Sequence, residues 1–527
     1  MSASGKKTAV LTAAALVAGI VISAAAVGGA FDPLVGLNAP EAIGGLDLGQ
    51  EAARLASGRG FTTGFIRPVS LRFNDSFTAH PDFANPPLYV LVLAAAMAVF
   101  GRSDALLAGT SAVFLWLWAF PLWCTVSRIF GKREAALALF LYLVSPALLD
   151  EAAAASPAPF LAGLVMGAVV LTEWSRARRP VSALVPGICV GLGYLGHYTF
   201  GLWLLPAAVY LWRFAPGRRG ARVGWLLAGA VLVSLPWLVR NAVLVGNPFF
   251  SLSGYRVYMF TDASPGHTLW RGFGSRSLLV PGRAGALLGK ALVGLRDGVE
   301  QVLFLTGNIA SVFIPASLFC RFGDGPRARY RWLFFSFFAV ELAAWTLFRP
   351  GESGLRAFIP AGTALVSAAF LRLGAGFGSR GRTAALSVFV FLVLLPSWSG
   401  FVPAPYPRVA IYNPGLIEEI SAAVPPDRVI VSDVPWAVAW YGDRSSLWLP
   451  ARVGDYEEIN LYYVPPVEAF YITAFYLGPY YDPGERDPGW QRLTASGWLP
   501  EGWNLRHRHP LPGGQVLLSA SPLLGER

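Results

Sequence analysis

Two acidic residues with a spacing suited to shared chemistry lie near the start of the chain. Asp47 and Glu51 are four residues apart in a stretch where Leu48, Ala52 and Leu55 repeat with the period of a helix. Residues three and four apart on a helix share one face, so we expect both carboxylates on the same side. A carboxylate held beside a hydroxyl can act as its base. Asp47 is therefore a candidate functional residue, whereas Glu51 is expected on a solvated helix face.

A second polar group follows in the same segment, next to a pair of prolines. His80 and Asp82 precede Asn85, and Asn85 directly precedes the two prolines. With Asp47 they offer one imidazole and two carboxylates, but one histidine and two aspartates spread across a loop are a weak signal for a metal site. The three cysteines lie within or at the edge of apolar runs. We therefore predict no metal site and no cofactor, and a divalent cation is the alternative.

Polar residues also mark the ends of several apolar runs. They are Asp150, Glu151, His197, Tyr198, Arg240, Asn241 and Arg356. The alternative for Asp150, Glu151 and Tyr198 is a role as interfacial anchors. Ionisable groups near hydrocarbon are costly unless they bind a ligand or each other. Because arginine presents a fixed fork of donors to phosphate oxygens, the pattern indicates a site for a lipid-linked phosphate with a carboxylate beside it.

The composition of the chain indicates a membrane protein. Of 527 residues, 54% are hydrophobic and 14% are charged, and the mean hydropathy is +0.50. This is too little polar surface for a soluble globule of that size. The net charge of +11 arises from arginine clusters between apolar runs, as the positive-inside rule expects of cytoplasmic loops. We therefore predict a multi-pass protein of the inner or plasma membrane that has no nucleic-acid partner.

The basic clusters also predict a topology. Lys6 and Lys7 precede the first apolar run, which we interpret as a retained span with a cytoplasmic N-terminus. If every basic cluster is cytoplasmic, about eleven helical spans result. They are expected at residues 8–30, 105–127, 134–149, 157–173, 182–196, 199–212, 223–239, 301–320, 332–348, 357–374 and 384–400.

This topology predicts a transmembrane domain at residues 1–400 and an extracytoplasmic domain at residues 402–527. The transmembrane domain includes an extracytoplasmic loop at 31–104. The apolar run from Leu88 to Phe100 in this loop is short for a crossing, so we expect a helix that lies in the interface. The tail has β-type runs near 428–432 and 516 around a helical pattern at 415–423, which predicts a small α/β or α+β domain.

Four motifs carry a resemblance to one family. The segment from Leu46 to Thr63 (LDLGQEAARLASGRGFTT) resembles the first outer loop of bacterial membrane glycosyltransferases with the C-type (GT-C) fold. That family includes the lipid A aminoarabinose transferases, the protein O-mannosyltransferases and related lipopolysaccharide sugar transferases. Three further stretches are similar to later signatures of these proteins: HPDFANPPL at 80–88, PWLVRN at 236–241 with GNP at 246–248, and Arg356 with Pro360. Together the motifs cover roughly residues 8–400.

The resemblance implies an α-helical polytopic enzyme that uses a sugar carried on a polyprenyl phosphate. It implies inverting transfer to the hydroxyl of a lipid, glycan or protein acceptor on the outer side of the membrane. Asp47 matches the acidic position of the first loop and is predicted as the general base. The residues predicted to bind substrate are His80, Asp82, Asn85, His197, Tyr198, Arg240, Asn241 and Arg356, of which Arg240, Arg356 and His197 would hold the phosphate.

Two departures from the family pattern bear on these roles. His197 stands where many relatives have lysine, so its phosphate contact is expected to be pH-sensitive or absent. Pro157 stands near the place of a second aspartate in some relatives. Asp150 and Glu151 could replace that aspartate only if the turn after them folds back.

Two other classes of protein compete with the enzyme. A transporter or flippase of a lipid-linked or anionic substrate would use the same arginines to line a path, but such proteins often carry ionisable groups at mid-membrane. Charges within the apolar runs are almost absent here. A non-catalytic assembly or sensor protein would leave the long polar first loop unexplained.

Overall fold

The computed structural model describes residues 3–30, 37–38, 42–262, 264–273, 283–323, 325–349, 351–399, 411–477, 484, 486–496, 503 and 505–523. The helices are, in chain order, α1 (Ala3–Ala30), α2 (Ile43–Ala56), α3 (Pro87–Phe100), α4 (Asp104–Leu117), α5 (Ala119–Ile129), α6 (Lys132–Leu143), α7 (Pro146–Ala153), α8 (Ala158–Arg176), α9 (Leu184–Gly196), α10 (Leu204–Phe214), α11 (Arg219–Val245), α12 (Thr268–Arg271), α13 (Arg283–Leu303), α14 (Phe313–Ala316), α15 (Pro326–Phe348), α16 (Ser353–Arg356), α17 (Ile359–Leu373), α18 (Ser379–Ser399), α19 (Pro414–Ala423), α20 (Pro435–Tyr441), α21 (Val453–Tyr463), α22 (Ala474–Leu477) and α23 (Pro488–Ser496). The strands are β1 (Phe65–Ile66), β2 (Val429–Ser432), β3 (Ser446–Trp448), β4 (Val467–Ile472), β5 (His507–Leu511) and β6 (Gln515–Ser519).

The chain divides into two compact units. Unit 1 contains Met1–Asp32, Leu107–Arg240 and Val293–Tyr406. Unit 2 contains Pro33–Leu106, Asn241–Leu292 and Pro407–Arg527. Unit 2 thus joins the tail to two segments from earlier in the chain. The sequence predicted that the chain divides near residue 401 into a transmembrane domain and an extracytoplasmic domain. This division stays a prediction.

The apolar helices make this a multi-pass membrane protein. Among the described residues, six helices are long and apolar enough to cross a membrane, and the bent pair α6 and α7 would make a seventh. The six are Asp104–Ile129, Ala158–Arg176, Arg219–Val245, Pro326–Phe348, Ile359–Gly376 and Ser379–Pro396. Shorter apolar helices occur at Leu16–Gly28, Pro87–Phe100, Pro180–Gly196 and Ile309–Phe319. The total of about eleven spans stays a prediction.

Close helix packing positions the predicted site residue that follows α9 in unit 1. A Cβ atom at Gly187 of α9 would lie 2.1 Å from the carbonyl oxygen of Leu226 in α11. One at Gly229 of α11 would lie 2.3 Å from the carbonyl oxygen of Leu184. Small residues of this kind let helices approach closely in a membrane. This contact sets α9, which ends just before His197, against α11.

The chain bends before α7 and turns at its end. A bend of 43° separates α6 from α7, which begins at Pro146. Beyond α7, Ala155 has a positive φ of 57°, and the backbone N–H of Ser156 donates to the carbonyl oxygen of Glu151 at 2.9 Å. Ser156 therefore lies beside Glu151, and the replacement of the second aspartate of some relatives by Asp150 or Glu151 stays a prediction.

A mixed six-stranded sheet forms the centre of unit 2. Its strand order is β1-β3-β2-β4-β6-β5, in which β1, β3, β2 and β4 are parallel and β6 is antiparallel to its neighbours. The tail contributes five strands, and the predicted helix at 415–423 and the strands near 428–432 and 516 are confirmed as α19, β2 and β6. The first strand comes from the first loop, where Phe65 and Ile66 pair with Ser446 and Leu447. This pairing anchors the loop immediately before Arg67.

Candidate active site

Helix α2 carries the first polar group of unit 2. Asp47, Gln50, Glu51 and Arg54 are all buried. Their spacing of three and four residues places them on one face of the helix, so the shared side predicted for Asp47 and Glu51 is confirmed. The expectation of a solvated Glu51 is wrong, because this residue is only 3% exposed. Two neighbouring carboxylates are therefore held away from bulk water.

Hydrogen bonds to uncharged oxygen atoms fasten this helix to the rest of unit 2. The Gln50 side chain donates to the Thr63 hydroxyl at 2.8 Å, just before β1. Arg54 donates to the carbonyl oxygen of Thr78 at 3.0 Å and to the Ser445 hydroxyl at 3.2 Å. The two residues thus tie α2 to the first loop and to the segment before β3, which holds Asp47 and Glu51 in place.

The Arg67 guanidinium lies between two carboxylates. Its Nη2 contacts Asp47 Oδ2 at 2.5 Å, and its Nη1 contacts Asp82 Oδ1 at 3.4 Å. Each of the three side chains is at most 9% exposed. The guanidinium also lies over the ring of Phe65, 4.1 Å from the centroid. The sequence analysis missed Arg67, and the one available signal was an arginine placed directly after an apolar pair in a polar loop.

Asn85 bridges the two acidic residues of α2. Its Nδ2 donates to Asp47 Oδ2 at 3.0 Å and to Glu51 Oε1 at 2.7 Å. The position of Asn85 is set by Asp82, whose Oδ2 accepts the backbone N–H groups of Ala84 and Asn85 at 3.0 and 2.6 Å. The structure thus brings the predicted residues Asp47, Asp82 and Asn85 together with Glu51 and Arg67. We call these five residues the carboxylate cluster.

The carboxylate cluster contains more acidic than basic side chains. The cluster holds three acidic residues and one arginine. Burial raises the pKa of Glu51 well above its usual value, and the nearby Asp82 and Asp47 raise it further. Burial alone would lower the pKa of Arg67, but Asp47, Asp82 and Glu51 outweigh it and raise that pKa. Glu51 therefore has a greater affinity for a proton than an ordinary glutamate, and Arg67 stays charged.

The other predicted residue of the first loop, His80, is engaged within that loop. Its Nδ1 donates to the carbonyl oxygen of Ser76 at 2.9 Å, and its Nε2 lies 2.7 Å from the Ser70 hydroxyl. Burial, together with the nearby Arg67 and Arg54, lowers the pKa of His80 to about 4, and the hydrogen bond to Ser76 only partly opposes this shift. A neutral imidazole with both nitrogens engaged favours a role in holding the loop. Its predicted role in substrate binding remains a prediction.

A cationic group that the sequence analysis missed lies next to the carboxylate cluster. Arg256 stacks over the Trp270 ring, 4.6 Å from the centroid, and Arg67 lies over the same ring at 5.4 Å. Burial and the nearby Arg67 lower the pKa of Arg256 to about 10, and Asp47 opposes this shift. Burial also lowers the pKa of His267 to about 3, with Arg256 adding to the effect. Lys290 secures this turn by donating to the carbonyl oxygen of Val257 at 3.0 Å and to that of Arg256.

Unit 1 contains a second ionic group, centred on a residue that the sequence predicted. Arg356 of α16 contacts Glu151 Oε1 at 2.7 Å and also pairs with Glu352. Glu151 Oε2 accepts from the Ser353 hydroxyl at 3.1 Å and from the Ser156 hydroxyl. Glu151 is only 7% exposed. It is therefore buried within an ionic group, and its alternative role as an interfacial anchor stays a prediction.

His197 belongs to a chain of hydrogen bonds in the same unit. The Thr199 hydroxyl donates to Glu341 Oε1 at 2.8 Å, so it accepts from His197 Nδ1 at 2.7 Å. Glu341 is fully buried. Gly354 of α16 lies against this chain, since a Cβ atom there would be 2.7 Å from Glu341 Oε1 and 2.9 Å from His197 Cε1. Helix α16 therefore carries Arg356 and also packs against the hydrogen-bonded His197, Thr199 and Glu341.

The remaining predicted residues have well-defined neighbours. Arg240 lies over the ring of Trp237 at 4.2 Å, and the same indole donates to the Tyr198 hydroxyl at 3.2 Å. Asn241 donates to the carbonyl oxygens of Phe250 and Pro248 at 3.1 and 3.5 Å, which fastens the turn that follows α11. The substrate-binding roles predicted for Arg240, Tyr198 and Asn241 stay predictions.

The described residues hold no group of three or more His, Cys, Asp or Glu side chains arranged for a metal ion. In the carboxylate cluster, the place between Asp47 and Asp82 is taken by the Arg67 guanidinium. A resident cation there would face this positive charge at close range. The geometry thus gives no support to the alternative of a divalent cation bound by Asp47, His80 and Asp82.

Comparisons with known proteins agree with this arrangement of helices and loops. Residues 84–241 match a family model described as dolichyl-phosphate-mannose-protein mannosyltransferase. A solved structure of an oligosaccharyltransferase from Archaeoglobus fulgidus, in complex with zinc and sulfate, is 16% identical and has a TM-score of 0.57 over 96% of this chain and 73% of that chain. ArnT from Cupriavidus metallidurans, bound to undecaprenyl phosphate, is 14% identical with a TM-score of 0.56 over 96% of this chain and 99% of that chain. The chain has the GT-C fold.

This GT-C protein resembles further structures of the same kind. The A. fulgidus oligosaccharyltransferase AglB, in complex with an inhibitory peptide and a dolichol-phosphate, is 14% identical with a TM-score of 0.54 over 97% of this chain and 74% of that chain. A search of curated proteins finds no match. The family match and the fold neighbours together support a membrane glycosyltransferase, as the four sequence motifs predicted.

Proposed function

We propose that the protein is an inverting glycosyltransferase that moves a sugar from a polyprenyl-phosphate donor to an acceptor hydroxyl on the extracytoplasmic face of the membrane. The observation that carries this proposal is the carboxylate cluster of unit 2 in a chain with the GT-C fold. The fold neighbours are described with undecaprenyl phosphate and dolichol-phosphate, which supports a polyprenyl-phosphate donor.

The cluster has the parts that such a transfer needs. A carboxylate of α2, Asp47 in the sequence-based hypothesis, takes the proton of the acceptor hydroxyl. The oxygen attacks the anomeric carbon of the sugar, and the polyprenyl phosphate leaves with the bonding electrons. Because a single displacement occurs on the face opposite the leaving group, the anomeric configuration inverts. The negative charge that grows on the phosphate needs fixed cations.

Several arginines are candidates for this electrostatic role. In unit 2, Arg256 lies close enough to Asp47 for the two charges to interact, and Trp270 holds it from one side. In unit 1, Arg240, Arg356 and His197 are the predicted phosphate contacts. The guanidinium of Arg356 pairs with the carboxylates of Glu151 and Glu352, which fixes its orientation. Each of these residues can be tested separately through its effect on donor affinity.

The test is sugar transfer by the purified protein in lipid nanodiscs. A panel of polyprenyl-phosphate sugars is offered with hydroxyl acceptors of three kinds: serine and threonine peptides, a lipid-linked glycan and a lipid A analogue. Wild-type protein is expected to release polyprenyl phosphate and to form a product of inverted anomeric configuration. Asp47→Asn, which alters a carboxylate of the cluster, is expected to lower kcat with donor binding retained. Arg256→Gln is expected to raise the KM for the donor.

The same experiment distinguishes a glycosyltransferase from a transporter. Donor that binds and crosses between leaflets without transfer to any acceptor, with no effect of Asp47→Asn, would refute the glycosyltransferase. Glu418→Gln is the matched control, because this exposed carboxylate of α19 lies outside the carboxylate cluster. Its transfer rate should equal that of wild type.

A further inference from the structure

We infer that Glu51, and not Asp47, is the residue that takes the proton from the acceptor hydroxyl, and that Asp47 is a positioning residue. This inference rests on the proposed sugar transfer and specifies which of the two carboxylates of α2 performs the proton step. It departs from the sequence-based assignment, which gave the base to Asp47 and a solvated face to Glu51.

The carboxylate of Asp47 is already engaged by donors from three side chains. Its Oδ2 accepts from Arg67 at 2.5 Å and from Asn85 at 3.0 Å, and its Oδ1 receives a longer contact of 3.4 Å from Gln50. Both the ion pair with Arg67 and the hydrogen bond from Asn85 use the same oxygen, Oδ2, in a buried site. Asp47 is thus best suited to orient Arg67 and Asn85.

Glu51 has the opposite surroundings. Its Oε1 accepts from Asn85 at 2.7 Å, and among the described residues no hydrogen bond reaches its Oε2. The charges that act on it most strongly are the carboxylates of Asp82 and Asp47, and Arg67 has a smaller influence. Burial and these like charges raise the pKa of Glu51 well above its usual value, which makes it a stronger base than an ordinary glutamate. A base poised near the working pH is the most effective in proton transfer.

The proposed step balances as follows. The O–H bond of the acceptor breaks and its proton bonds to Glu51 Oε2. The acceptor oxygen forms a bond to the anomeric carbon as the bond from that carbon to the phosphate oxygen breaks. Polyprenyl phosphate departs with the electron pair, and Glu51 later returns its proton to water. Asn85 joins the two carboxylates, so that Asp47 holds the amide while Glu51 changes its protonation state.

The experiment is the pH dependence of kcat/KM between pH 5 and 9 for the full-length protein in nanodiscs. The wild-type rate should rise through an acidic limb whose midpoint lies well above the usual glutamate value. Glu51→Gln is expected to lose about 10² to 10⁴-fold and to show no such limb. Asp47→Asn is expected to lose less activity and to keep the limb at lower pH, because one like charge is gone and Arg67 is freed towards Glu51. Glu457→Gln, an exposed change on α21, should match wild type.

The reverse pattern would overturn the inference. If Asp47→Asn abolishes the acidic limb while Glu51→Gln only moves it, Asp47 is the base. Should Glu51→Gln fail to fold, the limb in Asp47→Asn decides by its presence or absence. Glu51→Asp, which keeps the acid on a shorter side chain, should retain a limb at reduced rate. If wild-type protein transfers no sugar at any pH, the proposed function itself fails, which is a different outcome.

Discussion

Removal of the Arg67 guanidinium is the most direct test of how the carboxylate cluster is held together. Arg67→Met keeps a side chain of similar length and deletes the charge that lies between Asp47 and Asp82. All three side chains are nearly inaccessible to water, so the two carboxylates would be left without their shared partner. The loss of one partner of a buried ion pair costs roughly 3–5 kcal/mol.

An independent estimate from charge separation agrees with this range. Two unit charges about 4 Å apart attract by about 4 kcal/mol at an effective dielectric constant of 20. Lower pH should reduce the penalty, because the stranded carboxylates can then take up protons. Arg59→Met is the matched control in the same unit. Arg59 pairs with Asp443 at 2.8 Å with side chains 38% and 46% exposed, so its loss should cost no more than about 1 kcal/mol.

Hydrogen–deuterium exchange of the α2 backbone amides in nanodiscs measures both variants. A penalty of 3–5 kcal/mol speeds exchange through local opening by roughly 10² to 10⁴-fold at pH 7.5, and the effect should shrink when stability is compared at lower pH. Arg59→Met should change the same amides by less than about tenfold. Equal exchange in the two variants would refute the view that Arg67 neutralises buried carboxylates.

Two other predictions concern single residues in the two units. Gly354→Ala should lower transfer activity, because the added Cβ would press on Glu341 and His197. Gly224→Ala is the control, since a Cβ there has no neighbour within 4 Å, and it should leave activity unchanged. Equal activities of the two variants would contradict the tight contact at Gly354. The pKa of His80 is about 4 in the folded protein in place of the usual 6.5, so between these pH values only the unfolded chain binds the proton. The free energy of unfolding should therefore fall as pH drops from about 6.5 to 4, by up to about 1.4 kcal/mol per pH unit. His80→Gln should flatten that slope in thermal unfolding measured across this range, and an unaltered slope would assign the pH dependence to other groups.

Much of the secondary structure followed from local sequence. Apolar runs of sufficient length predicted helices, and α8, α15 and α17 lie close to the predicted spans. The tail helix and its strands were recognisable because turn residues and apolar alternation act over a few neighbouring positions. The span predicted at 134–149 is the bent pair α6 and α7, and hydropathy did not indicate the bend of 43° just before Pro146.

The sequence by itself determined that the chain is built from apolar helices, and that Asp47 and Glu51 share a helix face, because the helical period relates residues only four positions apart. Tertiary structure decided what that face meets. Arg67 reaches Asp47 because β1 pairs with a strand of the tail almost 400 residues away in the chain, and Glu151 meets Arg356 from 205 residues away. Burial among these distant segments, which no local pattern specifies, is what turns Glu51 from an expected surface residue into a buried acid.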